Sequence, residues 1–362
     1  MKILSGTFFL VFIVLSQFHG HAQGDLAPKY SNEFLSLGIG ARSLGMSNAV
    51  VASVDDVTAG YWNPAALLGV KNDLQVGLMH AEYFAGIAKY DYGAIAKRLD
   101  EKSVGAFSVI RFGVDNIPNT TELIDAQGNI NYDRISYFSA ADYAFILSYA
   151  RELREDLGVG GNAKIVHRKI GDFARAWGFG VDASAIYTKE SWKFAAVLRD
   201  ATSTFNAWSF NLSPTMVDVF IATGNELPEN GLELTLPRMI LGTAREITFS
   251  DKFNLLAEAN MVITTDGRRN TLIRTSRVSI DPFIGLQGGY KNIVFLRAGL
   301  GNIQQVTDLS GKKIYNVQPN MGLGVKIKQV SLDYAYTDIA NTSVALYSHV
   351  FSLRFDLNKN PQ

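Results

Sequence analysis

The chain has 362 residues, with 34 Lys and Arg against 34 Asp and Glu, 32 glycines and no cysteine. Zero net charge excludes the basic face that displaces counterions from phosphates, so no nucleic-acid partner is expected. Lack of cysteine excludes disulfide scaffolds, thiolate metal sites, iron–sulfur clusters and thiol catalysis. With 47% hydrophobic and only 19% charged residues, two classes remain: a large soluble all-β protein or a β-barrel of the outer membrane.

Residues 1–22 read as a secretory signal. Lys2 is the positive n-region, Phe8 to Leu15 is an unbroken apolar run, and Gly20-His21-Ala22 places small residues at −3 and −1 before Gln23. The run is too short to cross ~30 Å of hydrocarbon as a helix. No cysteine follows it, which excludes a lipoprotein anchor. After residue 22 no stretch of eighteen apolar residues occurs, so any membrane crossing must be made by a closed barrel.

Residues 23–71 do not alternate and are expected to form a plug, or hatch, in or under the lumen. Gly38, Gly40 and Gly45 permit tight turns or close approach. Their spacing is not G-x-G-x-x-G, because the third position is Ser43, and no strand precedes it, so no dinucleotide site is expected. Asn63 followed by Pro64 suits a helix start, with Asn as cap and Pro at the first position. Asp55-Asp56 suits a helix cap or a pairing with lumen arginines.

From about residue 72 to 362 the period is two. Val330, Leu332, Tyr334 and Tyr336 share one face, and Ser331, Asp333, Ala335 and Thr337 the other. Candidate strands fall at 72–81, 88–98, 102–113, 140–152, 156–169, 174–188, 191–199, 233–247, 252–264, 277–290, 293–302, 319–328, 330–338 and 347–357. These are about fourteen antiparallel strands, mostly of the ~9–11 residues or more that a tilted membrane strand needs. Every second connection is short (99–101, 153–155, 189–190, 248–251, 291–292 and 329) and nearly every long one (114–139, 200–232, 265–276, 303–318) falls in the alternate set. Membrane barrels sort their connections in this way. The last strand carries Phe351, Leu353, Phe355 and Leu357 on one face, a suitable barrel terminus.

The polar face carries both signs: Lys97, Lys164, Asp182, Glu258, Arg297, Asp333 and Arg354 among them. Interleaved signs favour ion pairs that fill a lumen over a charged channel. His80, His167 and His349 are isolated, and no nucleophile elbow or phosphate loop is present. The expectation is therefore no enzyme, no metal and no cofactor.

Glu33-Phe34-Leu35, Gly40-Ala41-Arg42-Ser43-Leu44-Gly45-Met46, Asp55-Asp56 and Trp62-Asn63-Pro64-Ala65 together resemble the N-terminal signature of the PorV/PorQ family, closer to its PorV side. These are outer-membrane barrels of Bacteroidota-type bacteria, related in fold to the FadL transporters of hydrophobic compounds. The resemblance implies a place in type IX protein secretion, with secreted cargo and translocon or attachment subunits as partners beside the membrane lipid. It marks Gly40, Arg42, Gly45, Met46, Asp55, Asp56, Trp62, Asn63 and Pro64 as the hatch motif. In the long 200–232 connection, Trp208, Phe210, Leu212 and Phe220 are the candidate partner contacts. The alternative is a FadL-like transporter, which needs an apolar lumen pocket and a lateral opening.

Overall fold

A computed structural model describes residues 31–124, 129–307, 311–337 and 348–358. The expected export signal, the first residues of the N-terminal segment and the connection between candidate strands 330–338 and 347–357 lie outside these. The strands in chain order are β1 (Leu74–Tyr83), β2 (Ala88–Asp100), β3 (Ser103–Asn119), β4 (Ser136–Arg154), β5 (Leu157–Ile170), β6 (Ala174–Lys189), β7 (Trp192–Arg199), β8 (Thr204–Phe210), β9 (Gly231–Thr235), β10 (Arg238–Ser250), β11 (Phe253–Thr264), β12 (Ile273–Arg274), β13 (Ser279–Tyr290), β14 (Val294–Thr307), β15 (Lys313–Ile327), β16 (Val330–Thr337) and β17 (Ser348–Leu357). β7 with β8 and β9 with β10 each make one interrupted wall strand, and the two-residue β12 lies beside β13, so the seventeen segments form fourteen wall strands; neighbouring wall strands pair antiparallel, and β1 pairs β17 from Leu74↔Leu357 to Glu82↔His349, which closes a 14-strand barrel. Closure leaves no open edge, as a structure surrounded by lipid requires.

The alternation sorts residues across the wall. Leu147, Leu296, Leu323 and Leu332 are exposed on the outside, and Ile146, Arg297 and Ser331 are buried inside. Lys97 departs from the expected face: it points outward with Ile95 and Leu99, near the end of β2. There its ammonium reaches the interface at the rim of the apolar band.

One end of the barrel carries only tight turns, at 101–102, 155–156, 190–191, 251–252, 291–293 and 328–329. Lys291 and Asn292 both have positive φ, 52° and 54°, the backbone that follows the twist of a hairpin. The opposite end carries the long connections. The barrel hairpins extend further toward this loop end than the apolar alternation does. β3 and β4 continue to Asn119↔Ser136, and β14 and β15 to Thr307↔Lys313, each past a bulge.

The 200–232 region is not one loop. β8 continues the line of β7 along β6, from Phe179↔Phe205 to Ala174↔Phe210, and β9 pairs β8. A helix, Pro214–Ala222, lies between them. β7 and β8 are separated by Asp200–Ser203, in which Asp200 and Ser203 have positive φ, 57° and 59°. On the neighbouring wall strand, Leu236-Pro237 separates β9 from β10, and Pro237 has no N–H for a ladder. Two adjacent wall strands are thus interrupted at the same height.

The register carries a prediction. Ala298 faces lipid between Leu296 and Leu300, whereas Arg297 points inward. Ala298→Arg should lower the yield of heat-modifiable folded barrel, since Arg at the lipid face near mid-membrane costs ~2–4 kcal/mol, and Ala298→Leu should leave it unchanged. The opposite order would mean the strand faces the other way, because a one-residue slip exchanges the faces.

Candidate functional site

The lumen is occupied by residues 31–70, the hatch. Its apolar side chains, including Ile39, Val51, Val57, Trp62 and Leu67, form one core with Tyr90, Ile110, Ile146 and Val166 of β2–β5. Within it Asn63 caps the short helix Pro64–Gly69, its Oδ1 accepting from Ala65 N at 3.1 Å. The Asn63 amide also donates to Val51 O at 2.7 Å, joining two hatch turns. Trp62 Nε1 donates to Ile39 O at 3.0 Å. Pro64 and Ala65 press on the wall where β5 has Gly160; a Cβ there would lie 2.4 Å from Ala65 N.

The other side of the hatch meets the wall through backbone. A Cβ on Gly45 would stand 2.9 Å from Gly322 Cα, and one on Gly299 would stand 2.3 Å from the Met46 carbonyl carbon. Met46 is fully buried there. Just beyond, buried Glu258 of β11 accepts from Ala52 N at 2.8 Å and Ser53 N at 2.9 Å. Gly40 takes φ 84° at the entry to the helix Ala41–Gly45.

The acidic pair divides its work. Asp55 pairs with Arg42 at 2.5 Å. Asp56 accepts from Thr58 N at 2.9 Å and pairs with Arg354 of β17 at 2.8 Å. Partial burial works against ionisation of Asp55, but the adjacent Arg42 charge and hydrogen bond outweigh it and hold its pKa at about 2. All nine residues of the sequence motif therefore sit in the hatch, and Arg42, Asp55 and Asp56 form one cluster that reaches the wall.

A second cluster lies behind the strand interruption. Lys164 Nζ pairs with Asp182 at 2.7 Å and Asp200 at 2.5 Å, and Arg238 approaches Asp200 at 3.7 Å, all of them buried. Thr204 donates to Asp200 at 2.6 Å. Arg199 donates to Tyr61 O at 3.0 Å and lies 4.7 Å from the centroid of the Tyr61 ring. Sequence reading placed Lys164 and Asp182 on the inner face but missed Asp200 and Arg199, which the broken period hid.

Two chambers border the hatch among the described residues, beside a smaller cleft of about 30 Å³ at residues 40–43. The turn-end chamber, about 220 Å³, is bounded by Arg42, Asp55, Lys193, Glu246, Arg297 and Arg354 among others. The loop-end chamber, about 420 Å³, has Leu37, Leu44 and Asn48 of the hatch on one side and Arg238 and Asp281 of the wall, with Arg269 of the β11–β12 connection, on the other. They share no lining residue, and hatch residues 45–53 stand between them.

The four expected partner contacts are spread out. Trp208 and Phe210 are wall residues of β8, stacked at 6.0 Å. Trp208 Nε1 donates to Glu233 at 2.9 Å, and Arg168 lies 5.1 Å from its ring centroid. Leu212 follows the strand and Phe220 sits on the helix, both half-buried. The reassignment has a physical cause: Trp208 and Phe210 alternate with Ala207 and Ser209, a pattern too polar to read as membrane strand.

Two outcomes are expected of the hatch. Glu258→Ala leaves the wall ladder intact but strands two amides, at about 1–3 kcal/mol each. It should raise single-channel conductance in planar bilayers, and unchanged tightness would show that the hatch is held elsewhere. The depressed Asp55 value makes the Arg42 pair fully effective above pH ~4 and lost as pH falls toward 2. Leak should therefore rise in acid, by a small amount since Asp55 is half exposed, and Asp55→Asn should show that leak already at pH 7.

No protein-family model matches the sequence, and no curated protein is significantly similar to it. Solved structures are similar in fold. The CymD monoaromatic hydrocarbon channel superposes with a TM-score of 0.56 at 13% identity, covering 89% of this chain and 98% of that one. The Ralstonia pickettii toluene transporter TbuX gives 0.55 at 12%, covering 89% and 99%. The Pseudomonas putida toluene transporter TodX gives 0.54 at 13%, covering 88% and 98%. The chain is a closed 14-strand barrel with the fold of outer-membrane, FadL-like transporters.

Proposed function

We propose that the protein is a FadL-like passage barrel for small molecules with an apolar body. Cargo enters the loop-end chamber, meets the hatch, and leaves when the hatch yields. The observation that carries this reading is the make-up of that chamber: the hatch itself supplies part of its lining, including Leu37, Leu44 and Asn48. A bound molecule therefore touches the element that obstructs it, and its binding energy can be coupled to hatch movement. The likeness to hydrocarbon channels supports the reading at the level of fold.

Two exits are open to such cargo. The downward one is obstructed by the backbone contact of Gly45 with Gly322. The sideways one, at the paired strand interruptions, is obstructed by side chains, Lys164, Asp182 and Asp200.

A second reading, in which the loop end binds type IX cargo or a translocon subunit, rests on the hatch-motif resemblance and on residues 211–230. There Ser213 Oγ caps the helix Pro214–Ala222, accepting from Met216 N at 3.3 Å, and Ile221 and Leu227 remain exposed. One experiment separates the readings. Residues 211–230 are trimmed with β8 and β9 retained, and cells with an intact lipopolysaccharide leaflet are tested for uptake of labelled toluene and for co-purification of secreted proteins. Passage predicts uptake in the parent and trimmed strains and loss on deletion of the gene. Uptake indifferent to the gene ends the passage reading, and capture lost only on trimming would establish the second.

A further inference from the structure

A shallow cleft of about 340 Å³ lies at the loop end, formed by β8, β9 and the last residue of β5. Its floor is aromatic. Trp208 and Phe210 project from the same face of β8, with ring centroids 6.0 Å apart and planes 18° from parallel, so they make one platform. Ile170 and Leu232 extend it. Across the ladder Trp208 stands opposite Gly231 of β9. A Cβ on Gly231 would meet only Glu229 O, at 3.8 Å, so the space beside the indole is unfilled.

The charged part of the lining is Glu229 and Glu233, with no Lys, Arg or His. Glu233 accepts from Trp208 Nε1 at 2.9 Å and pairs with Arg168 at 3.3 Å. Arg168 does not line the cleft. It lies 5.1 Å from the Trp208 ring centroid, and Asp142 accepts from it at 2.8 Å and 3.2 Å. One cation thus meets three carboxylates, and Glu229, exposed at the rim, has no ion pair among the described residues. The chain around the cleft has the same bias: residues 204–237 contain Asp218, Glu226, Glu229 and Glu233 and no Lys or Arg. An anion here would be repelled by the carboxylates. A neutral hydrocarbon would use the rings alone. A cation with an apolar body uses both, because carboxylates and the faces of aromatic rings attract positive charge. The volume of about 340 Å³ lies within the roughly 300–1,000 Å³ of small-ligand sites. We infer that this cleft binds a small organic cation with an apolar body, such as an aryl ammonium, with its charge beside Glu229 and its body on Trp208 and Phe210. The inference rests on the passage reading only in making the cleft a first stop for cargo.

The test uses the full-length protein in nanodiscs, titrated calorimetrically with benzyltrimethylammonium, its neutral isostere neopentylbenzene and the anion benzylsulfonate, with the heats of empty nanodiscs subtracted. Benzyltrimethylammonium should bind about tenfold tighter than neopentylbenzene and weaken as salt is raised. Benzylsulfonate should bind weakest. Glu229→Gln keeps the shape and removes the charge, so it should weaken the cation about fivefold and leave neopentylbenzene unchanged. Gly231→Leu places a side chain beside Trp208 in the unfilled space. It should remove binding of both while the barrel stays heat-modifiable. Equal binding of cation and isostere, tighter binding of the anion, or an unaffected Glu229→Gln variant overturns the inference. Full cation binding by folded Gly231→Leu also overturns it, since the site would lie elsewhere. Cation preference at this cleft without gene-dependent uptake of toluene would leave this inference standing and the passage reading fallen. Gene-dependent toluene uptake without cation preference would do the reverse.

Discussion

An irregular segment inside a membrane barrel has no ladder of its own, yet its buried amides and carbonyls need partners as much as those of the wall do. That need organises the interior. The wall supplies side chains where the hatch backbone lacks bonds: Tyr90 Oη donates to Phe34 O at 2.9 Å, and Gln75 Oε1 accepts from Val57 N at 2.5 Å. Ser184 Oγ accepts from Ala65 N at 2.9 Å, and Glu258 takes the two amides of Ala52 and Ser53. The inner face of the strands is polar at these positions because a neighbouring backbone must be answered there. Elsewhere the same face is apolar, as at Ile110, Ile146 and Val166, because it meets hatch side chains instead.

This explains what could be read in the sequence and what could not. Lipid enforces strict alternation, so β6 and β16 were legible residue by residue. Beyond the apolar band water replaces lipid and the outer face needs no hydrophobic side chains. The Gln304–Asn316 continuation of β14 and β15 therefore left no periodic trace. β8 was lost for a related reason. Asp200 and Ser203 break the period, and only Phe205 marks the outer face beyond. Of the site, the hatch residues were visible as a motif, and Asn63-Pro64 as a cap. The chambers were not, since the linings gather hatch residues such as Leu37 with Thr264 and Asp281 of the wall, more than 200 residues away in sequence.

The charged groups serve two purposes that composition alone merges. Around Lys164 and Asp200 they are buried and fill the space behind interrupted strands, where an unpaired member would be costly. Around Arg42 and Asp55 they border an open chamber and are partly wet. A neutral total thus conceals one dry cluster and one hydrated one. The loop-end chamber lies apart from both, with amides and hydroxyls beside Glu33, Arg238, Arg269 and Asp281 in its lining.

The hatch touches both strands that close the barrel. Gly40 N meets Met79 Sδ and Val57 N meets Gln75 on β1, while Ala41 N bonds Ser352 Oγ at 2.8 Å and Asp56 pairs with Arg354 on β17. Gln75 and Asp356 then bond directly across the seam at 2.6 Å. A ring of strands can be unzipped only where first and last strand meet without a covalent turn. Here that join is clasped from within, so parting it means pulling the hatch off both sides at once. The plug is in this sense also a fastener, holding the join from Gly40 to Val57 as well as filling the lumen.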